Sequence, residues 1–179
     1  MARAQPNQLN AASITGLLDL VFNGFVKSEN LNIAKVPYRD PVQAVNDLSE
    51  NRIQILMTSI AIVRAHVQAG RVRMLALTNS KPQPIAPNIP TVVEAGFPSL
   101  GVDGLVGFFA TKELPAAVRA KIASDIRAIV AADPQIAQRL AATGQAINPG
   151  TPVEFAAAVD QQKARAAEVG QLLGIKPAQ

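Results

Sequence analysis

Three loops early in the chain carry residues that suit the binding of an anion. Each loop follows a short apolar run and precedes an amphipathic segment, the pattern of a strand that leads into the start of a helix. The first backbone N–H groups of a helix have no partner within it and attract negative charge. An arginine in one loop adds a planar guanidinium that binds carboxylates through paired hydrogen bonds. The candidate ligand-binding residues are Ser13, Thr15 and Gly16, then Tyr38 and Arg39, then Thr58 and Ser59.

The serine, threonine and tyrosine candidates also have structural interpretations that the sequence leaves open. Ser13 and Thr15 have the short hydroxyl side chains that cap helices, and a cap and a bound anion use the same N–H groups. Tyr38 is the one tyrosine of the chain, and it suits a half-buried position in which the ring packs and the hydroxyl finds a partner. Both interpretations of each residue remain open from the sequence.

The charged residues near these loops have two interpretations as well. Arg39 is either a carboxylate ligand or a surface side chain paired with Asp40 or Asp47. Asp19 is interpreted as an ordinary first-turn acid that complements the dipole of the first predicted helix. The sequence therefore offers one guanidinium and several helix starts as ligands for an anion.

These loops need a sheet that brings the ends of several strands together. Short β-rich runs alternate with helical patterns in the first half of the chain, and this β-α-β-α order predicts a mostly parallel sheet flanked by helices. Ligands of such sheets bind outside the carboxyl ends of the strands, which selects the loops named above and also Asn79 and Ser80. We predict strands at 9–14, 32–36, 53–57 and 72–78, and helices at 16–28, 41–49 and 60–68.

The second half of the chain has a different pattern. Five prolines between 81 and 98 exclude a helix through most of that stretch, apart from a short turn at 91–95. An apolar run with internal glycines then predicts a long strand at 100–111. Three helical patterns follow, at 115–131, 134–143 and 152–173, and Gly144 is predicted to end the second of them.

Capping residues mark several of these helix ends. Asp40 and Pro41 are a favourable pair at the start of the second helix, where the aspartate caps and the proline takes the first helical position. Gly70 follows the third helix, where a glycine adopts a left-handed conformation without strain. Thr151 and Glu154 have the spacing of a capping box, which predicts the start of the last helix.

Composition excludes several classes of protein. Hydrophobic residues make up 49% of the 179 residues and charged residues 17%, which favours a folded chain. Cysteine is absent, so disulfides and sulfur-ligated metals are excluded. The net charge is +4, but the basic residues are spread singly without interleaved aromatics, so no nucleic-acid partner is predicted. No apolar window predicts a membrane span, and the first residues lack the apolar core of a signal peptide.

Neither catalysis nor a cofactor is predicted. His66 is the single histidine, and one imidazole without cysteine or a second histidine does not make a transition-metal site. The chain has no Gly-x-Ser-x-Gly elbow to support a serine nucleophile. No pattern pairs the acids Asp103 and Glu113 for acid–base chemistry. We therefore predict a binding protein that is not an enzyme, with no metal.

Seven motifs follow one another along the chain: VPYR at 36–39, AGRVRMLALT at 69–78, IPTVVEAGFP at 89–98, GFFA at 107–110, ADP at 132–134, RLAATG at 139–144 and GTPVEF at 150–155. In this order they resemble the substrate-binding receptors of tripartite tricarboxylate transporters, often called Bug-type proteins. No single motif is unique to that family, but their order along the chain is specific, and the resemblance extends from about residue 2 to the C-terminus.

This resemblance implies a periplasmic receptor of the type II binding-protein fold, in which two α/β lobes close on a small carboxylate and present it to a membrane permease. One lobe of the family is a middle segment, and the other joins the N-terminal and C-terminal parts. Residues 1–104 then correspond to most of the middle lobe. Residues 105–179 correspond to the returning strand and the C-terminal helices of the other lobe, without its N-terminal part. The resemblance thus implies half of a ligand pocket.

The loops depart from the family pattern at three places. Asp40 stands where glycine is common, and Thr58 and Ser59 stand where an acid and an amide are common. The first loop lacks the usual glycine-rich stretch and Ser-x-His start. These changes could retune the choice of carboxylate. The alternative is that the chain is an interaction protein without a role in transport. It would form homo-oligomers through the surface left by the missing N-terminal part of the other lobe. The apolar residues of this surface are Val106, Phe108, Phe109, Ile122, Ile126 and Ile129.

Overall fold

Two parallel strands and the helix between them begin the fold. The structure, a computed structural model, describes residues 2–3, 7–142, 145, 147 and 149–175. The two strands pair in parallel register along their whole length, with Ser13 opposite Pro37 at the carboxyl end. Helices flank this small parallel sheet, which confirms the predicted α/β class. The elements are β1 (Leu9–Ser13), α1 (Leu17–Ser28) and β2 (Ile33–Pro37).

The prediction of a strand at 53–57 is wrong, although this segment does run parallel to β1. A single bridge joins Ala11 and Ile55, and the Ala12 N–H donates to the Ile55 carbonyl at 2.9 Å. The Asn10 N–H donates to the side-chain Oε1 of Gln54 at 2.9 Å. A side-chain oxygen thus takes a donor that a continuous ladder would use, so the pairing stays limited to one bridge.

The prediction of a strand at 72–78 is also wrong. Leu77 forms an isolated parallel bridge with Thr91 and is bonded on both sides, from its N–H to the Pro90 carbonyl at 2.8 Å and from the Val92 N–H to its carbonyl at 2.7 Å. The partner segment belongs to the proline-rich stretch, and Pro90 has no N–H to extend a ladder. The bridge therefore stays isolated.

The long strand predicted at 100–111 does not form either. Residues Pro98–Leu100 are a short 3-10 helix, and 101–111 are irregular. The Val102 N–H donates to the Thr78 carbonyl at 2.8 Å, but no strand of the described residues lies alongside the rest of the segment. Since a strand needs neighbours for its backbone groups, the apolar pattern alone does not produce one here.

The remaining helices agree with the sequence to within a residue or two. Thr151 and Glu154 form the predicted capping box at the start of the last helix, and Gly70 follows α3 with a φ of 68°. Gly144, predicted to end α5, lies outside the described residues. The helices are α2 (Pro41–Ser49), α3 (Ile60–Gln68), α4 (Ala116–Ala132), α5 (Pro134–Ala142) and α6 (Pro152–Leu173).

Two packed regions support the sheet. Ile53 is 1% exposed and lies in a cluster with Ala12 and Ala44, which joins β1, α2 and the segment after α2. On another side, α1 packs against α6 where Gly24 faces Val169. A Cβ at Gly24 would lie 2.6 Å from a methyl carbon of Val169, so the glycine allows the close approach of the two helices.

Candidate functional site

The carboxyl ends of three parallel segments lie side by side at one edge of the sheet. The Tyr38 N–H donates to the Ser13 carbonyl at 2.9 Å, so the loops after β1 and β2 begin at the same level. On the other side of β1, the segment that contains Ile55 runs parallel to it and leads to Thr58 and Ser59. The structure therefore brings the three predicted loops to the same edge, which we call the carboxyl edge.

Three helices begin directly after these loops, and their starts differ in how they are capped. Asp40 caps α2, since its Oδ1 accepts the Val42 N–H at 2.8 Å. The cap positions of α1 and α3 are Gly16 and Ser59, and neither makes a side-chain capping bond. Among the described residues, no side chain therefore caps the first N–H groups of α1 and α3, and the positive ends of their dipoles lie at the carboxyl edge.

Ser13 and Thr15 do not cap α1, so that interpretation is wrong. Ser13 is half-buried at the end of β1, whereas Thr15 is exposed. Gly16 has a φ of 146°, a conformation that side chains rarely adopt, although a Cβ there would meet nothing within 4 Å. The requirement for glycine is conformational, and the space beside Gly16 is open. Ligand contact by these three residues stays a prediction.

Tyr38 is half-buried against the core cluster, as its structural interpretation predicts. Its hydroxyl donates to Oδ2 of Asp47 at 2.7 Å, and Oδ1 of Asp47 accepts from Arg52 at 3.0 Å. Burial and then this hydrogen bond raise the pKa of Tyr38 above its ordinary value of 10.0. The hydroxyl proton is thus committed to Asp47, and only the lone pairs of the oxygen are left for a ligand.

Arg39 is exposed and stands at the carboxyl edge beside the start of α2. The predicted pairing with Asp40 or Asp47 is wrong, because Asp40 caps α2 and Asp47 binds Arg52. Within the described residues no carboxylate lies in ion-pair distance of the Arg39 guanidinium. This side chain retains its donors for a ligand.

Thr58 and Ser59 complete the third loop. Thr58 is half-buried, whereas Ser59 is exposed and has the extended backbone of a cap residue, with φ −74° and ψ 147°. Its hydroxyl makes no bond to the first turn of α3. Both side chains can donate to or accept from a ligand, and their participation stays a prediction.

Asp19 has a more complex position than that of an ordinary first-turn acid. It lies in the first turn of α1, where its Oδ2 accepts from the amide of Asn23 at 2.9 Å. Its Oδ1 is buried and has no partner among the described residues. Such an oxygen favours a donor such as water or a ligand hydroxyl, because a buried acceptor without a partner is costly. The feature of the sequence that could have indicated a buried carboxylate is the position of this acid inside the apolar run LLDLV at 17–21.

Two cavities in the described part of the chain lie away from the carboxyl edge. One, of about 210 Å³, is lined by Asn23, Lys27 and Lys35 among others. The other, of about 160 Å³, lies between α1 and α6 beside Arg165. The described residues also contain no cluster of three or more acidic, histidine or cysteine side chains that could hold a metal ion.

Solved structures define the class of fold. The structure of a periplasmic transporter matches 98% of this chain with a TM-score of 0.82 and 27% identity, and the match covers 59% of that protein. The R. palustris protein Rpa4515, solved with adipate, matches 99% of this chain with a TM-score of 0.78 and 24% identity, over 60% of its length. The fold is that of the periplasmic binding proteins.

The sequence comparisons then give the family. The profile described as "Tripartite tricarboxylate transporter family receptor" matches residues 1–175, and the chain therefore belongs to this family. A relative from Pseudomonas sp., the protein of the tcbD–tcbE intergenic region, is 32% identical over an alignment of 155 residues, and the match covers 84% of this chain. The chain spans 46% of that relative, about half of its length.

The comparisons confirm the family that the motifs predicted and leave the individual site residues untested. The structure of the periplasmic binding protein BugD has the same fold, and it matches 98% of this chain with a TM-score of 0.75 and 22% identity, over 60% of its own length. Among the described residues, no helix has both the length and the hydropathy needed to cross a membrane.

Proposed function

We propose that the carboxyl edge forms one wall of a binding site for a small carboxylate. The observation that supports this most is the coincidence of two uncapped helix starts, at Gly16 and Ser59, with the guanidinium of Arg39, which has no ion-pair partner among the described residues. Free N–H groups at helix starts and a guanidinium are the usual ligands of a carboxylate. Membership in a receptor family of tricarboxylate transporters supports the same class of ligand.

Each predicted residue has a role in this proposal. The free N–H groups that follow Gly16 and Ser59 bind one carboxylate oxygen each, and Arg39 binds through its planar fork. Ser13, Thr15 and Thr58 contribute hydroxyl groups beside them, and Tyr38 contributes the lone pairs of its oxygen. The proposed ligand-binding residues are therefore Ser13, Thr15, Gly16, Tyr38, Arg39, Thr58 and Ser59.

We also propose that the chain corresponds to part of a complete receptor with two lobes. Residues 1–104 represent the lobe that carries the carboxyl edge, and 105–179 the returning part of the other lobe. The complete receptor closes on its ligand in the periplasm and delivers it to the membrane permease of a tripartite transporter. Adipate, present in the R. palustris structure, is a dicarboxylate and guides the choice of probe.

Calorimetric titration with adipate, with acetate as the monocarboxylate, tests the site. We expect millimolar binding of adipate to the chain as it stands. Arg39→Gln should weaken it by at least about tenfold, because a hydrogen bond to a charged group is lost. Arg71→Gln is the matched control, since Arg71 is equally exposed but follows α3 at its other end.

Two results would contradict the site. One is the absence of heat and of thermal stabilisation at millimolar adipate. The other is binding that Arg39→Gln and Arg71→Gln weaken equally, since that outcome describes attraction to the net positive charge and not a site.

A further inference from the structure

A cavity of about 210 Å³ lies beside the beginning of β2, at the opposite end of that strand from Arg39 and the carboxyl edge. The second half of α1 supplies one wall, where the lining residues at 23, 26 and 27 share one face of the helix. Ile33 and Lys35 supply another wall, because residues two apart on a strand point to the same side of the sheet. Leu173, the last residue of α6, lines the third side. We call the space between these elements the α1–β2 cavity.

Half of the residues that line the α1–β2 cavity are apolar. Each of them is half-buried, so part of its apolar surface remains accessible from the cavity. An organic ligand removes such surface from water, which a hydrated inorganic ion does not do. The lining therefore favours a ligand with an apolar body. The apolar lining residues are Val26, Leu31, Ile33 and Leu173.

Two lysines place positive charge at the same cavity. Lys27 lies in the last turn of α1 and Lys35 in β2, and both are exposed. Within the part of the chain that the structure describes, no carboxylate lies in ion-pair distance of either ammonium group. Glu29, the acid nearest to Lys27 in the sequence, pairs with Arg3 instead. The described lining residues therefore carry two positive charges and no negative charge.

The backbone carbonyls of α1 that belong to the lining residues already have donors. The Asn30 N–H donates to the Lys27 carbonyl at 3.1 Å, and the Leu31 N–H donates to the Val26 carbonyl at 2.9 Å. These bonds close the end of the helix and offset the partial negative charge of its last carbonyl groups. An anion in the cavity therefore meets the lysine ammonium groups and is not repelled by free carbonyl oxygens of these two residues.

We propose that the α1–β2 cavity binds a small organic anion, at a site separate from the carboxyl edge. The apolar body of the ligand contacts the four half-buried apolar residues, and its negative groups contact the ammonium groups of Lys27 and Lys35. An aromatic dicarboxylate has both features, since it combines an apolar ring with two negative charges. This inference is independent of the carboxylate site at the carboxyl edge, because the two sites share no residue.

NMR titration of the labelled chain with phthalate tests this site. The backbone amides of Leu31 and Ile33 report on the cavity, whereas those of Leu17 and Ile60 report on the carboxyl edge. We expect millimolar binding with chemical-shift changes at Leu31 and Ile33. Dimethyl phthalate keeps the ring without the charge, and inorganic phosphate keeps the charge without the ring. Each should bind the cavity at least about tenfold more weakly than phthalate does.

The lysines are tested by substitution. Lys27→Gln and Lys35→Gln should each weaken the binding of phthalate at the cavity at least about threefold, since each removes one of the two charges that face the anion. Both lysines are exposed, so the variants should keep the fold, which circular dichroism checks. Lys112→Gln is the matched control, because Lys112 is also exposed and lies outside the cavity.

Three results would overturn the proposal. The first is the absence of shift changes at Leu31 and Ile33 at about 10 mM phthalate. The second is an equal weakening by Lys27→Gln and Lys112→Gln, because phthalate is then attracted only by the net positive charge of the chain. The third is binding of inorganic phosphate as tight as that of phthalate, because the apolar wall then makes no contribution.

Discussion

Two regions of the molecule, one from β1 to α3 and the other from 101 to the end of α5, both contain the apolar patterns of strands and helices. They differ in how far their apolar side chains are buried. In the first, Ile53 and Val45 are 1% exposed. In the second, none of the described residues is buried, and Phe108 is 83% exposed. The difference lies in neighbours, since the parallel pair and its helices cover one another whereas the segment at 104–110 has a partner on only one side. An apolar pattern in the sequence shows which side chains are suited to burial, but they become buried only where a neighbouring element packs against them.

The largest expected effect is on the free energy of unfolding, and it is tested by replacing one isoleucine in each region. Ile53→Ala should lower the free energy of unfolding by about 2–5 kcal/mol, because it leaves a cavity in the cluster with Ala12 and Ala44. Ile129→Ala in α4 should change it by less than about 0.5 kcal/mol, since Ile129 is 57% exposed. Urea denaturation followed by circular dichroism measures both. Equal losses from the two variants would break the comparison between the regions.

The contact of α1 with α6 gives a smaller effect and tests how a helix outside both regions contributes to the packing of the first region. Gly24→Leu should destabilise the chain by about 1–3 kcal/mol, because Val169 occupies the space that the new side chain needs. The double variant Gly24→Leu with Val169→Ala should recover part of this loss in the same denaturation experiment. A double variant whose loss equals the sum of the two single losses would show that the two positions are not in contact.

The smallest effect concerns two Thr-x-x-Glu motifs, one on each side of 104–110. Hydrogen bonds from the backbone and side chain of Thr91 and Thr151 lower the pKa of Glu94 and Glu154 below the ordinary value of 4.5. A carboxyl whose pKa is lower in the folded state contributes stability that is complete above its ordinary pKa and is lost as the pH falls through the lowered value.

We therefore expect these two carboxyls to titrate below 4.5 in an NMR pH titration. The turn after Thr91 and the start of α6 should loosen only in acid. Thr151→Ala should return the pKa of Glu154 toward its ordinary value and leave that of Glu94 unchanged. A titration of Glu154 that Thr151→Ala does not alter would contradict the role of the capping box.

The local signals in the sequence predicted the helices well. Asp40 with Pro41, and Thr151 with Glu154, mark helix starts through bonds that form within a few residues, so no knowledge of the distant chain is needed. The α/β class and the three loops at one edge follow from the alternation of elements, and the family followed from the order of its motifs.

The predictions of strands at 53–57, 72–78 and 100–111 were wrong because the local pattern of a segment does not identify the segment that pairs with it. A strand depends on the neighbour that pairs with it, and one glutamine side chain or one proline is enough to end the pairing at a single bridge. The roles of Ser13, Thr15 and the arginine at the carboxyl edge likewise depended on which residues lie across from them. Asp47 binds Arg52, and within the described part of the chain no carboxylate pairs with Arg39.

The central claim is that a carboxylate binds at the carboxyl edge, and NMR titration of the labelled chain with adipate tests it most directly. The account predicts that the largest chemical-shift changes occur at the backbone amides of Leu17, Leu18 and Ile60 and at the guanidinium of Arg39, where the helix starts are free. Changes confined to the cavity beside Lys27 and Lys35, or no changes at millimolar adipate, would contradict it.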